Sequence, residues 1–191
     1  MQNVFSMRPK LTEAIVVVKN ILDAAGLNEG YKGGISSYNV FIMFICFAEH
    51  IQFSFDAPLS EFLYKFFRFY TKEFDHRKSV LKFQPGGRCI LSFNDYNSLE
   101  NSENLGSSGA LKMIDPINGQ LVRASFSRFE EVVNLFRQLV EAFEEVREEA
   151  RAAVQPLMGR ANNKWEISTA LEANVAASSS ARKLELLLLL E

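Results

Sequence analysis

Ser36 and Ser37 stand side by side, just behind two glycines and just ahead of a long apolar segment, in the run Gly30-Tyr31-Lys32-Gly33-Gly34-Ile35-Ser36-Ser37-Tyr38. At the start of a helix the first backbone amides have no intrahelical partner and the helix dipole favours negative charge. Two hydroxyls added there could cradle a phosphate. Lys19, at the rim of the preceding apolar stripe, could bring an ammonium to the same place, and Tyr38 could offer its ring to a nucleobase. The same residues also make an ordinary capped turn, with Ser36 as N-cap, the glycines turning the chain, Tyr38 in the core and Lys19 on the surface. Spacing alone favours that plainer arrangement.

Other catalytic patterns are missing from these 191 residues. There is no Gly-x4-Gly-Lys-Ser/Thr loop, no His-Glu-x2-His, no paired cysteine set and no Gly-x-Ser-x-Gly. His50 and His76 are isolated and suit packed or surface positions. Asp75 and Asp115 are lone carboxylates. Metal-assisted phosphoryl transfer needs two or three acidic groups converging on Mg²⁺, and no Asp-x-Asp pair occurs in the chain. No catalytic residue and no metal ligand is therefore expected here.

Composition sets the frame. An apolar fraction of 48% with 17 Phe and a single Trp supports one sizeable core, with room for a tail. With 21 basic and 23 acidic residues the formal charge is −2, so any nucleic-acid contact must use a local patch. The two cysteines, Cys46 and Cys89, have no metal-like spacing and read as reduced core residues of an intracellular protein. No secretory signal pattern opens the chain. Apolar runs such as Val40 to Ala48 fall far short of the roughly 20 residues of a membrane span. A cytoplasmic or nuclear protein without membrane contact is the default.

The elements that would position Ser36, Ser37 and Lys19 follow from periodicity. Leu11, Ala14, Ile15, Val18, Ile21, Leu22 and Ala25 form a helical stripe over Lys10 to Ala25, and Gly26 stands where a left-handed residue would stop that helix. Tyr38 to Ile51 is apolar almost all round, as suits a central buried helix. A third helix is expected from Leu59 to Phe74 behind Pro58. Ser79–Gln84 and Cys89–Phe93 are β-prone runs around Pro85-Gly86-Gly87, a hairpin signal. Asn94 to Gly109 reads as a loop, and Leu111 to Ile114 as a short apolar run closed by Asp115-Pro116. Ser127-Arg128-Phe129-Glu130 reads as a capping box opening a long amphipathic helix. Its stripe is Phe129, Val132, Val133, Phe136, Leu139, Val140, Phe143 and Val146. Its acidic far end is a solvated face, and Pro156 is expected to end it. Leu157 to Glu191, including the leucine run 186–190, reads as a loosely ordered, low-complexity tail.

Taken together the segments resemble a known family. Arg8-Pro9-Lys10-Leu11, Val17-Val18-Lys19, Gly26-Leu27-Asn28-Glu29 and Tyr31 to Tyr38 are similar to a run in template-independent nucleotidyltransferases. These are the poly(A) polymerases of the nuclear RNA-surveillance type and their terminal uridylyltransferase relatives, within the DNA polymerase beta-like superfamily. The likeness continues through Phe62 to Tyr70, Phe74-Asp75-His76-Arg77-Lys78, Gly86-Gly87, Ile114-Asp115-Pro116 and Arg123-Ala124-Ser125-Phe126. The last of these resembles the PAP-associated segment, whose loop meets the incoming base.

The resemblance implies a mostly α (α+β) fold: a helical-bundle central domain over residues 8–150 with a small β-hairpin insertion. Its PAP-associated segment would span about 58–146, between a stub at 1–7 and the tail at 151–191. It implies that Lys19, Ser36 and Ser37 contact the triphosphate, that Tyr38 stacks on the base, and that Asn28 lies near the sugar. Asp115, Asn118 and Arg123 would belong to the base-recognition loop, with Asn118 touching the nucleotide. Asp23 stands where uridylyltransferases often carry a second Lys. The loop from Asp115-Pro116 to Arg123 is about two residues shorter than the family's, with Asn118-Gly119 in place of an Asn-Asp pair.

Family enzymes carry their Gly-Ser motif and catalytic carboxylates ahead of the Arg-Pro segment. The expectation is thus a central domain whose catalytic palm is absent, inactive alone, taking ATP as substrate and using Mg²⁺ only with the missing domain. RNA and a nucleoside triphosphate are the implied partners, with a zinc-knuckle protein and an RNA helicase as possible protein partners, in the nucleus. A catalytically dead RNA- or protein-binding scaffold, a terminal uridylyltransferase fragment and an unrelated helical domain stay open as alternatives.

Overall fold

The computed structural model describes residues 8–51, 58–100, 111–122 and 126–158. The first stripe becomes α1, Arg8–Ala24, with Leu11, Ala14, Val18, Ile21 and Leu22 buried. Gly26 stops it in the left-handed conformation, φ 64°. The Gly26 amide donates to the Asp23 carbonyl (2.8 Å) and the Leu27 amide to the Leu22 carbonyl (2.7 Å), the paired bonds of a Schellman stop. Helix α2, Ser37–Ile51, runs through the middle of the molecule with Val40, Ile42 to Ala48 and even Asn39 buried.

The predicted single helix over 59–74 changes character partway. Helix α3, Leu59–Arg68, gives way to a π-helical turn over Phe69–Glu73, closed by the Phe74 amide on the Phe69 carbonyl (2.9 Å). The Thr71 hydroxyl donates to the Phe67 carbonyl (2.9 Å), the acceptor that Thr71's own amide would use in an α-helix. Such a competing donor favours the wider turn. The turn also seats fully buried Tyr70, whose hydroxyl donates to the Met43 carbonyl of α2 (2.8 Å).

The expected hairpin forms but belongs to a larger sheet. Strands β1, Ser79–Lys82, and β2, Ile90–Ser92, pair antiparallel, while β3, Lys112–Ile114, lies parallel to β1 on its other side, giving the order β2-β1-β3. The expected loop over 94–109 is helical in its first part: α4 spans Phe93–Glu100. Ser92 caps it by accepting from the Asp95 amide (3.1 Å), and Tyr96 is buried in a small cluster with Val80, Leu91 and Ile114. The burial of one aromatic and the cap outweigh the loop-like composition of the segment. Residues 101–110 lie outside the described part.

Helix α5, Phe129–Met158, carries the predicted stripe but opens and closes differently. The capping box is not what opens it. The Glu130 carboxylate instead accepts from the Arg77 guanidinium (3.1 Å), and the Arg128 amide donates to the Gly33 carbonyl (3.0 Å). The helix also continues two residues past Pro156, where a proline in the last turn removes a single intrahelical donor. The tail beyond Met158 lies outside the described residues.

Helices α1, α2, α3 and α5 share one core with the sheet packed against α2. Its centre is aromatic. The Phe66 ring stacks on Phe44 (centroids 3.9 Å) and meets Phe47, Phe67, Tyr70 and Phe136 at 4.9–5.8 Å. Offset and edge-on ring pairs add about 0.5–1.5 kcal/mol each beyond burial. Cys46 and Cys89 are free, buried thiols, and the neighbouring Cys89 thiol together with burial pushes the Cys46 thiol up. The phenylalanine excess and both cysteines are thus absorbed by the core that holds α2 in place.

Candidate nucleotide-binding site

The glycine turn is built on backbone bonds. The Lys32, Gly33 and Gly34 amides donate to Glu29, Gly30 and Glu29 carbonyls at 3.0, 3.1 and 3.0 Å, and the Ile35 amide donates to Leu27 (2.8 Å). Gly33 takes φ 86°, and a Cβ there would strike the Ser127 hydroxyl at the entry to α5. A Cβ on Gly34 would fall on the Leu27 carbonyl group. The glycines are therefore demanded by how tightly the turn folds back on Leu27 and α5.

The turn delivers its two serines to different duties. Ser36 is the N-cap of α2: its hydroxyl oxygen accepts from the Asn39 amide (3.3 Å) and its carbonyl from the Val40 amide (2.9 Å). Ser37, the first residue of the helix, is exposed, beside amides that have no intrahelical partner. The plain capped-turn reading is right for Ser36. Tyr38, by contrast, is 39% exposed rather than in the core.

Tyr38 is fixed from two sides. Its hydroxyl donates to Asp115 Oδ1 (2.7 Å), and its ring lies nearly parallel to Phe41 one turn further on, with centroids 6.4 Å apart and planes 25° apart. Asp115 also accepts from the Ile117 amide on Oδ1 (2.8 Å) and from Asn118 Nδ2 on Oδ2 (3.2 Å). The Ile117 amide first, and the Tyr38 hydroxyl second, hold the Asp115 carboxyl below its ordinary value. Burial first, and then Asp115, push the Tyr38 phenol up. A tight return positions this loop: the Gly119 amide donates to the Asp115 carbonyl (2.9 Å) and the Asp115 amide to the Gln120 carbonyl (2.8 Å), so Ile114 bridges back to Leu121.

Of the residues singled out from sequence, Ser36, Ser37 and Tyr38 share the N-terminus of α2, and Tyr38 joins Asp115 and Asn118 across the fold. Lys19 is half-buried on α1, which packs against α2. Asn28 Nδ2 donates to Asp23, the very residue that replaces a second lysine. Arg123 lies outside the described residues. Arg128 has a positioning role that its place in a capping motif hides. Its guanidinium donates to the Gly26 carbonyl (2.8 Å) and to Glu131, while its amide holds Gly33, so one residue ties the end of α1, the glycine turn and the start of α5. The signal was an arginine just ahead of a helix start.

The described residues gather no set of three or more His, Cys, Asp or Glu side chains suited to a metal ion. Among the described residues there is thus no carboxylate set that fits Mg²⁺. What they offer is a helix N-terminus with an exposed hydroxyl, a nearby lysine helix, and an exposed aromatic ring held by an acidic loop.

This mostly helical fold with its small sheet is similar to that of solved RNA nucleotidyltransferases. Residues 58–120 match the family model described as Cid1 family poly A polymerase. The poly(A) RNA polymerase CID14 of Cryptococcus neoformans is 24% identical over 149 residues, which is 68% of this chain and 20% of that protein. The Cid1 poly(U) polymerase with MgGTP bound shares the fold at a TM-score of 0.57 and 18% identity, over 73% of this chain and 52% of that one. The polymerase core of TRAMP, an RNA surveillance complex, does so at 0.57 and 18%, over 72% and 44%. The chain thus spans about half the length of these solved structures and a fifth of the curated relative.

Proposed function

We propose that this chain is the nucleotide- and RNA-contacting central domain of a poly(A) polymerase-like RNA 3′-terminal nucleotidyltransferase. One observation carries the reading. Tyr38, in the serine-rich turn, and Asp115, in the Asp-Pro loop, are the two places where the resemblance puts base contacts, and a hydrogen bond joins them. In this reading Lys19 and Ser37 hold the triphosphate, Tyr38 stacks on the base, and Asn118 and Arg123 read its edge. The catalytic carboxylates and their Mg²⁺ would be supplied by a palm domain outside these 191 residues, which would make the chain inactive alone. Adenylate addition in RNA surveillance is the favoured role, in keeping with the fold likeness to the TRAMP polymerase core. A nuclear site and zinc-knuckle and helicase partners belong to the same reading.

Binding of radiolabelled ATP to the 191-residue chain tests it. Binding that weakens about tenfold in Lys19→Ala and Ser37→Ala, as loss of a charge-assisted contact does, supports the assignment. Unchanged binding removes it. Extension of an RNA primer by this chain alone would overturn the claim that it has no catalytic centre. RNA retention with no ATP binding would favour the scaffold alternative.

A further inference from the structure

We propose that Phe41 is a positioning residue for base recognition, acting through Tyr38; the inference rests on the nucleotide-binding reading above. Helix α2 is buried at Asn39, Val40 and Ile42 to Ala48, yet between them at Phe41 it leaves a large apolar ring 37% exposed. Exposing that ring gains nothing for the core. What Phe41 does touch is Tyr38, three residues earlier and so on the same face of the helix, with the two rings near-parallel.

Tyr38 needs such a neighbour. A ring that stacks on a base contributes by presenting a flat face in a fixed plane, and rotation about its χ angles costs part of that contribution. The hydroxyl bond to Asp115 holds one end of Tyr38 but leaves the ring free to swing about the line from Cβ to the oxygen. Phe41 backs the ring and removes that freedom, leaving the remaining exposed surface of Tyr38 for a base. The pair then works as a two-ring platform: the outer ring contacts the nucleotide, and the inner one sets the plane. The ligand class is a nucleoside triphosphate, and the effect is confined to its base.

The test measures binding of ATP and of inorganic tripolyphosphate to the 191-residue chain and to Phe41→Ala, Phe41→Leu and Phe41→Tyr. Phe41→Ala is expected to weaken ATP about three- to tenfold, a part of what one base stack is worth, while tripolyphosphate binding stays unchanged. Phe41→Tyr, which keeps the ring, should bind ATP like the parent, and Phe41→Leu, which keeps bulk without a flat face, should not. The inference is overturned if Phe41→Ala binds ATP normally, if it loses ATP and tripolyphosphate alike, or if Phe41→Leu restores binding as well as Phe41→Tyr. If the parent chain binds tripolyphosphate but not ATP more tightly, base stacking is absent and Phe41 has nothing to position. If it binds neither, the nucleotide-binding reading itself falls.

Discussion

The Tyr38 hydroxyl donates to Asp115 Oδ1 over 2.7 Å, a bond that spans 77 residues of sequence and ties the start of α2 to the loop after β3. Tyr38→Phe removes the donor with little change in shape, and Asp115→Ala removes the acceptor. Both variants should weaken ATP binding about three- to tenfold, the worth of one hydrogen bond. The double variant should lose no more than the larger single, because both report the same contact. Additive losses would mean that the two residues act separately.

The same bond has a pH window with two edges. Asp115 is depressed in the fold, so its stabilisation is present above the ordinary value of 3.8 and fades as pH falls through the lower folded value. Tyr38 is raised, so its stabilisation is present below 10.0 and fades as pH rises through the higher folded value. Between these edges the clasp is intact, which includes every neutral assay condition.

Gly34 is the glycine of the turn at which an added Cβ would meet backbone. Its missing side chain leaves space for the Leu27 carbonyl, which already accepts from the Ile35 amide. That oxygen belongs to backbone and cannot step aside as a side-chain tip can. Gly34→Ala should therefore destabilise the chain near the top of the range for overpacking, about 3 kcal/mol, and should weaken ATP binding with it. Gly26→Ala is the control: that site has an open surrounding and only a left-handed backbone to maintain, at about 1 kcal/mol. Urea denaturation of the two variants gives the order, and equal losses would show that the turn can open to take a Cβ.

How much of this was legible beforehand depends on the range of the interaction. The α1 stripe from Leu11 to Leu22, the stop at Gly26 and the buried stripe of α5 are written in local periodicity and form as read. Ala25, counted in the α1 stripe, lies exposed past the end of the helix. Ser92-x2-Asp95 was an equally local helix start, but the Asn- and Ser-rich residues after it masked the signal. The parallel pairing of β1 with β3 could not be read locally, because it joins segments separated by α4. The π-helical turn depends on Thr71 competing for one carbonyl and on Tyr70 reaching Met43, both tertiary matters. The site shows the same split. Tyr38 and Asp115 could each be singled out by type and motif, yet nothing in either motif says that they touch. Nor does any motif mark Phe41, whose meaning lies in being exposed within the buried stretch of α2, beside Tyr38.

His76 supplies a pH dependence of its own. It is only 8% exposed, edge-on to the Phe129 ring (5.0 Å), with Nε2 3.5 Å from Glu130 Oε2. Burial lowers its pKa below the ordinary 6.5; the Glu130 carboxylate pulls the other way, neighbouring Arg77 adds to the lowering, and Asp75 opposes it. A histidine depressed in the fold is favoured there as the neutral ring, whereas the unfolded chain takes up a proton near 6.5. Its stabilisation is therefore full above 6.5 and is lost as pH falls toward the folded value, with a slope below the one-proton limit of about 1.4 kcal/mol per pH unit. Melting temperatures should drop between pH 7.5 and pH 5.5, and His76→Gln should flatten that drop while lowering stability at pH 7.5 through lost ring packing. Glu130→Gln provides the opposite arm: without the carboxylate that favours the imidazolium, His76 resists protonation further and the acid loss should steepen. A profile that is the same in all three proteins would show that His76 titrates alike in the folded and unfolded chain.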